Sequence, residues 1–355
     1  MSEDNAQKNK VRLREIASAA GVSISTASRV LNGSTRVRAS LKKTVLDVVS
    51  QMDIDLYQRD KVKSLAFLVG NRGVNDPFHS RILLGAEDAC VAHGWNILFL
   101  SFNYPPNTPW KELPLPQVVQ RHDMVRGVLL TGTNFGNLIE LLYNKGITSV
   151  ALANNLIGDP KLLNTDAVFS DDIQGSTDAT NYLIDLGHRN IWFLGNNRLP
   201  WFARCYRGYS RAMEEAGFTP QQISIDSENN DEIGYLGIKS LLARGERVTA
   251  VFAGNDPIAH GVYKGLRDSG LSIPNDVSVV GCNDTLGGIL YPALTTIREF
   301  PEQLGKQMVE LLLNRIAKPG MDPQSTTVPT QFIKRDSCRP ILLPKASEYA
   351  TDMAV

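Results

Sequence analysis

The feature that most restricts this fold is a cassette that recurs along the chain. An amphipathic helix ends at a glycine, a few polar residues follow, and a short apolar strand comes next. The cassette appears as LIELLYNKG then ITSVALA, as TNYLIDLGHRN then IWFLG, as GIKSLLARGERVT then AVFAG, and as YKGLRDSGLSIPND then VSVVG. SLAFLVG opens the series at Ser64. Phe78 to His93, closed by Gly94, reads as the helix before NILFLSF. Strands this apolar lack the alternation of a half-solvated strand, so both faces must be covered. Alternating strand and helix with covered faces predicts parallel sheets under helices. There are too many strands for one twisted sheet. Two helices share a spacing, Gly85, Ala89, Gly94 and Gly208, Ala212, Gly217, which points to two similar doubly wound lobes. One lobe starts near Ser64 and the other near Thr165. Crossovers are right-handed in such units. A ligand would sit at the carboxyl ends of the strands, in a cleft between lobes.

Beyond Gly281 the pattern implies that the lobes share one chain. Leu294 to Ile297 has strand character, Pro301 to Ala317 is a long amphipathic helix, and TTVPTQFIKRDS reads as a last strand. The expected organisation is a tail at 1–10, a helical head at 11–55 and a linker at 56–63. One lobe takes 64–164 and 297–326, the second takes 165–296 and 327–345, and 346–355 is a tail.

The head carries the second strong signal, LREIASAAGVSISTASRVLN from Leu13 to Asn32. Ile16, Ala17 and Ala20 share one face at helical spacing. Gly21 suits the turn that must follow, since it accepts positive φ. Val22 plugs the turn, and Ser23 is a suitable N-cap for a second helix. In that helix Ala27, Val30 and Leu31 fall on one side, and Ile24, Ser25, Thr26, Ser28 and Arg29 on the other. Small Ala17 lets the two helices cross closely. This is a helix-turn-helix layout, whose second helix meets base edges in the major groove. An ordinary helical hairpin is the alternative. Ser40 then caps a third helix, in which Val45, Val48, Val49 and Met52 repeat at helical spacing.

Charge separates the two readings. The 355-residue chain has zero formal net charge, yet Lys8 to Lys63 holds twelve basic against five acidic residues, a balance of +7. The remainder is acidic by the same amount. A basic head on an acidic body fits a head that meets polyphosphate. The 43% apolar and 21% charged content is that of a soluble globular protein. Cys90, Cys205, Cys282 and Cys338 are scattered, so they read as reduced thiols of a cytoplasmic protein and not as a metal cluster. The polar amino-terminus MSEDNAQKNK lacks a signal peptide's apolar core, and no apolar run approaches the ~20 residues of a membrane span.

Enzyme motifs are missing. No G-x-G-x-x-G follows a strand, and neither a phosphate-binding G-x-x-x-x-G-K-[ST] loop nor a G-x-S-x-G elbow occurs. His79, His93, His122, His188 and His260 include no H-x-x-x-H pair. His188, beside a glycine, reads as a structural residue. Asp171 and Asp172 read as a helix N-cap in preference to an acid/base pair.

The chain resembles the LacI/GalR family of bacterial transcription regulators over nearly its whole length. The motifs that carry the likeness are IASAAGVSISTASRVLNGS, DPFHSRILLGAEDACVAHGW, DLGHRNIWFLG, RGYSRAMEEAGF, TAVFAGNDPIAHGVYKGLRDSGLSIPNDVSVVG and YPALTTIRE. The resemblance implies an all-α helix-turn-helix head on a two-lobed, periplasmic-binding-protein-like α/β core. It implies a homodimer on a near-palindromic operator, and a small carbohydrate-like effector held between the lobes, with no cofactor. Repression is the commoner family habit. The family's base-contacting positions fall on Ile24, Ser25 and Arg29, with Thr26, Ser28 and Asn32 nearby. The chemistry agrees: Arg29 can bond a guanine bidentately, and the hydroxyls can bond phosphates or bases. Ile24 either touches a thymine methyl or fills the core of the head.

Two departures stand out. The family linker Asn-x-x-Ala-Arg-x-Leu, which forms a hinge helix and wedges a Leu into the minor groove, is replaced by the shorter DIDLYQRDKVK; Leu56 is its only candidate wedge. The effector positions are also rewritten. By resemblance they fall on Phe78, His79, Asn154, Asn229, Asn255, Asp256 and Asn283, with Asp284 next to the last. The family's sugar-gripping Arg falls on Cys205, with Arg204 beside it as a substitute. Several carboxylate or aromatic positions have become Asn, which donates as well as accepts. Three rivals are weighed against this reading. A small-molecule receptor fits the core alone, but the basic head opposes it. An enzyme on this fold has no motif in its favour. A regulator without effector response is consistent with the rewritten site.

Overall fold

The computed structural model describes residues 13–31, 37–51, 63–73, 76–158, 165–227 and 229–341. The expectations for the amino-terminal tail, Asn32, Met52, Leu56 with the linker, and the last residues fall outside these ranges.

The head is three helices, α1 (13–19), α2 (Ile24–Leu31) and α3 (Ala39–Gln51). Its core is Ile16, Ala17, Ala27, Val30, Val45 and Val49, all buried. Gly21 has φ +62°, the left-handed turn between α1 and α2. Ser23 Oγ accepts from the N–H of Thr26 at 3.1 Å, which satisfies one of the open donors of the first turn.

From Ser64 the chain runs β1 (Ser64–Gly70), α4 (Pro77–Ala92), β2 (Asn96–Phe102), β3 (Val128–Gly132), β4 (Asn134–Phe135), α5 (Gly136–Lys145), β5 (Ser149–Leu152), β6 (Leu156–Ile157) and β7 (Asp166–Ser170). Next come α6 (Asp172–Asp185), β8 (Ile191–Gly195), α7 (Pro200–Glu215), β9 (Gln221–Ser224), α8 (Asn230–Ala243), β10 (Ala250–Ala253), α9 (Asp256–Arg267), β11 (Ser278–Cys282) and β12 (Thr295–Arg298). The last elements are α10 (Pro301–Ala317), β13 (Ser325–Val328) and β14 (Gln331–Ile333).

The chain divides into two compact units. One extends to Ser170 and includes Phe300–Val328; the other holds Asp171–Glu299 and the segment from Pro329. In the first, the N-lobe, six parallel strands lie in the order β13-β7-β5-β3-β1-β2. In the second, the C-lobe, the order is β14-β12-β11-β10-β8-β9, all parallel except β14 against β12. β1 is buried along its whole length, as its continuous apolar run requires.

Three boundaries differ from expectation; the second crossing comes at 299/300 and the third at 328/329, against 296/297 and 326/327. The strand at Asp166–Ser170 pairs with β5 and β13 and so belongs to the N-lobe; the first crossing comes at 170/171, not 164/165. Arg315 of α10 grips buried Asp166 at 2.7 Å through two nitrogens, which ties β7 to the N-lobe helix. The segment TTVPTQFIKRDS is not one strand. It breaks at Pro329, and its halves, β13 and β14, join different sheets. Proline has no N–H for a ladder, so it suits the crossing point.

α4 and α10 pack closely on one N-lobe face. A Cβ on Gly85 would lie 1.9 Å from the Glu302 carbonyl oxygen, and one on Gly305 would lie 2.0 Å from that of Ile82. Only glycine permits this approach. Arg81 and Glu302 close the contact with a two-pronged ion pair at 2.6 and 3.0 Å. The β2–β3 crossover has no α-helix. Only a 3₁₀ turn, Trp110–Glu112, is regular there, and Leu113, Leu115, Val119 and Val125 fill the core from loop positions.

Candidate functional site

In the head, α2 divides cleanly. Ala27 and Val30 are buried, whereas Ser25 and Arg29 are exposed. Ile24 is 46% exposed, so it does not fill the core of the head. Thr26 and Ser28 are half-buried at the edge of the same face, and Thr26 Oγ1 lies 2.8 Å from Ser23 Oγ. A cation, two hydroxyls and an aliphatic side chain are thus presented on one short helix. These groups suit guanine, phosphate and thymine-methyl contacts.

In the N-lobe, polar residues collect at the carboxyl ends of the strands and at the start of α4. Asp76 caps α4: its Oδ1 accepts from the N–H of Phe78 at 2.9 Å and of His79 at 3.2 Å. Burial raises the Asp76 carboxyl. His79, through its ring, charge and backbone N–H, together with Arg72, outweighs that effect and brings it down to about 2. Phe78 and His79 meet edge to face at 5.7 Å. His79 is buried and reaches Asn155 at 3.2 Å. Asn154 faces β7: its amide donates to the Ser170 carbonyl at 2.9 Å and accepts from the Ser170 N–H at 2.7 Å. That pair of bonds fastens the end of β5 to the end of β7. At the end of β3, Asn134 bonds Tyr104 Oη at 3.2 Å, and Arg72 Nε donates to Thr133 Oγ1 at 3.3 Å.

In the C-lobe, Asp171 caps α6 through the Gln174 N–H at 3.4 Å. Asp172, almost fully buried, receives Arg204 at 2.6 to 3.0 Å. Burial opposes the charge on Arg204, but the Asp172 carboxylate raises its pKa further. Cys205 lies buried in the sheet-facing core. Asn229 is an exposed N-cap of α8, accepting from the N–H groups of Asp231 and Glu232. Asn255 caps α9 through the Ile258 N–H at 2.8 Å. Asp256 is fully buried; it accepts from Thr296 Oγ1 at 2.6 Å and from the Leu286 N–H at 2.9 Å. Desolvation dominates there and lifts its carboxyl to about 6 against those bonds. Asn283 and Asp284 have φ +90° and +52°. Asn and Asp tolerate this region better than other side chains do. Arg298 at 2.7 Å and Arg335 at 2.8 Å hold the Asp284 carboxylate in that turn.

Phe78 and His79 therefore converge with Asn155, the neighbour of the expected Asn154. Arg204 converges with Asp172. Asp76, Arg72 and Asn155 were not singled out from sequence. Asp76 had a signal, an Asp before Pro at a helix start; the other two had none before the strand ends were placed. Of the pair read as an N-cap, Asp171 takes that role and Asp172 pairs with Arg204 instead. A cavity of about 330 Å³ contains none of the candidate effector residues; Lys42, Tyr143, Ser149, Thr165 and Arg315 line it, at the amino ends of β5 and β7. Among the described residues no cluster of His, Cys, Asp or Glu could hold a metal, and no helix is long and apolar enough to cross a membrane.

A helix-turn-helix head on two doubly wound lobes is the build of a DNA-binding regulator with a ligand-binding core. Residues 12–54 match the model of the bacterial regulatory proteins of the lacI family, and residues 180–338 match the periplasmic binding protein-like domain. The transcriptional regulator RegA of Clostridium saccharobutylicum is 31% identical over 337 residues, covering 92% of this chain and 98% of the relative. The ribose operon repressor of Haemophilus influenzae is 32% identical over 340 residues, with the same two coverages, 92% and 98%. A crystal structure of a LacI family regulator from Enterococcus faecium with bound ribose superposes with a TM-score of 0.66 at 26% identity, covering 79% of this chain and 100% of that one. The chain belongs to the LacI family of bacterial regulatory proteins, and it acts as a DNA-binding regulator of transcription.

Proposed function

We propose that this regulator is a cytoplasmic homodimeric repressor without enzymatic activity, controlled by a sugar of the pentose class. Its α2 reads each half of a near-palindromic operator through Arg29, Ser25 and Ile24, with Thr26 and Ser28 on the flanking backbone. The observation that carries this is the division of α2, whose apolar face is buried while Ile24, Ser25 and Arg29 face solvent. The effector reading rests on strand-end groups of each lobe taken by itself: Phe78, His79 and Asn155 are the N-lobe candidates, and Arg204, Asn255 and Asn283 are the C-lobe candidates. Ribose is favoured as the test ligand because one similar repressor regulates a ribose operon and one similar structure holds ribose.

One experiment addresses both halves. Selection from random duplex DNA with the full-length protein should enrich a two-fold related pair of half-sites, and D-ribose should change affinity for the enriched duplex. Failure to enrich any sequence removes the operator reading. A second reading has its own support: Arg204 is occupied by Asp172, and Asn154 by Ser170. It describes a regulator that binds its operator with no effector response, and it predicts enrichment with no change on adding ribose or other sugars.

A further inference from the structure

A covalent tether limits how far a domain can stray, but only contacts fix where it rests. The head has such a contact with the N-lobe. Lys42 of α3 is half-buried. Its Nζ donates to the Tyr143 carbonyl at 3.3 Å and stands 5.2 Å from the centre of the Tyr143 ring. Tyr143 lies in the last turn of α5, which closes at Gly146 with φ +68°. The carbonyls of a last turn carry the negative end of a helix, so a cation is stabilised there. A ring face within about 6 Å adds to the attraction. Burial pushes the pKa of the Lys42 ammonium down, as it does for a cation drawn out of water.

The rest of the contact follows from the helix. Leu46 lies one turn beyond Lys42 on the same face of α3. With Lys43 and Asp47 these residues form one wall of the cavity of about 330 Å³. The opposite wall is N-lobe: the end of α5, the amino ends of β5 and β7, and the loop 319–323. Arg315 on that wall is engaged by Asp166 and by the Met321 and Asp322 carbonyls, all groups of the lobe itself, whereas Lys42 crosses from head to lobe. The contact leaves the working parts of the head alone. Its core uses Val45 and Val49 of α3, and Ile24, Ser25 and Arg29 of α2 stay exposed while α3 sits on the lobe.

We propose that α3 anchors the head to its own N-lobe, with Lys42 seated on the last turn of α5, and that operator is met by the head in this seated position. The N-lobe surface made by the end of α5, the amino ends of β5 and β7 and the loop 319–323 is then a docking face, and its occupant is the head of the same chain. A seated head has already lost freedom that a loose head would lose on meeting DNA, so the anchor raises operator affinity without adding a contact to the duplex. Only this last step rests on the reading of operator through α2; the seat itself does not.

The test uses full-length protein and two single substitutions. Lys42→Met keeps the aliphatic stem and removes the charge. Tyr143→Ala removes an uncharged ring that is 48% exposed and outside the buried cores, so the lobe keeps its fold. Hydrogen exchange is measured first, without DNA. Lys42→Met should speed exchange several-fold at the Gly146 and Ile147 amides, which close α5 about a hundred positions further along the chain, and Tyr143→Ala should do the same in α3. Changes confined to the substituted element overturn the seat. Affinity is then measured for the duplex enriched by selection. Each variant should lose on the order of tenfold, and the double variant no more than either single one, because both break one contact. Tyr143 is uncharged and outside the head, so its effect separates the anchor from a phosphate contact by Lys42. A loss with Lys42→Met alone assigns Lys42 to the DNA backbone and overturns the anchor. Unchanged affinity in both variants overturns it, and so does tighter binding by Tyr143→Ala, since DNA would then compete with the seat. If no duplex is enriched, the operator reading fails by itself, and the exchange experiment still decides the seat.

Discussion

Arg29 stands on the exposed side of α2 with its neighbours Ala27 and Val30 buried behind it. An Arg→Ala change here removes the side chain proposed to pair with guanine, without touching the core of the head. Arg29→Ala should relax preference at one base position by about 1–3 kcal/mol, while affinity for unrelated duplex changes far less. Competition binding with single-base operator variants measures this, and an unchanged preference would remove Arg29 from base reading. Asp256 makes a second prediction at this scale. Its carboxyl is lifted by burial to about 6, above its value of 3.8 in an unfolded chain. The folded state therefore holds the proton more tightly. Stability from this group rises as pH falls from about 6 toward 4, by at most roughly 1.4 kcal/mol per pH unit. Asp256→Asn keeps the shape and removes the titration. Urea midpoints of the wild type should gain on those of the variant as pH is lowered through that window; parallel curves would show that burial does not govern this carboxyl.

At the level of elements, the α4–α10 contact is the most demanding. Gly305 has the Ile82 carbonyl where a methyl group would go, and that obstacle is backbone, which cannot swing aside. Gly305→Ala should destabilise the protein by about 1–3 kcal/mol, read as a lower urea midpoint with little change at the strand ends. Equal stability would mean that the two helices separate at low cost. Helices and their ends were largely legible in the sequence. The Pro301 to Ala317 helix is α10 residue for residue, and Asp171 is the N-cap expected of it. Strand membership was less so. Asp166–Ser170 looks like any other apolar strand, and nothing local says which sheet it joins. Its β13 partner, and the Arg315–Asp166 pair, come from residues about 150 positions apart in sequence. The site showed the same limit. Asn154 and Asn155 are indistinguishable as letters. Only the fold shows one amide spent on the Ser170 backbone and the other set against His79.

The whole molecule is organised by charge. The amino-terminal stretch from Lys8 to Lys63 carries +7, and the remainder is acidic by as much. Binding through the head releases counterions from DNA, whereas the acidic body adds no attraction. Operator affinity should therefore fall steeply and linearly on a log–log salt plot, with a slope of about −0.9 per phosphate neutralised. A flat response would exclude the head as the DNA-binding part. The same measurement made with and without effector would show whether the ligand changes the number of phosphate contacts or only the fit at the bases.

By itself the sequence determined the architecture and the class of function. Periodicity, glycine punctuation and caps are local, and hydrophobic burial acts on them in nearly the same way wherever they occur; a basic head remains basic in any arrangement. The tertiary structure alone decided which sheet each strand joins, where the chain passes from one unit to the other, and which polar side chains are already engaged. Those depend on hydrogen bonds and ion pairs between residues far apart in the chain, such as Asp256 with Thr296 and Asp284 with Arg298 and Arg335. The energy of such a pair exists only once folding has removed the water between its members.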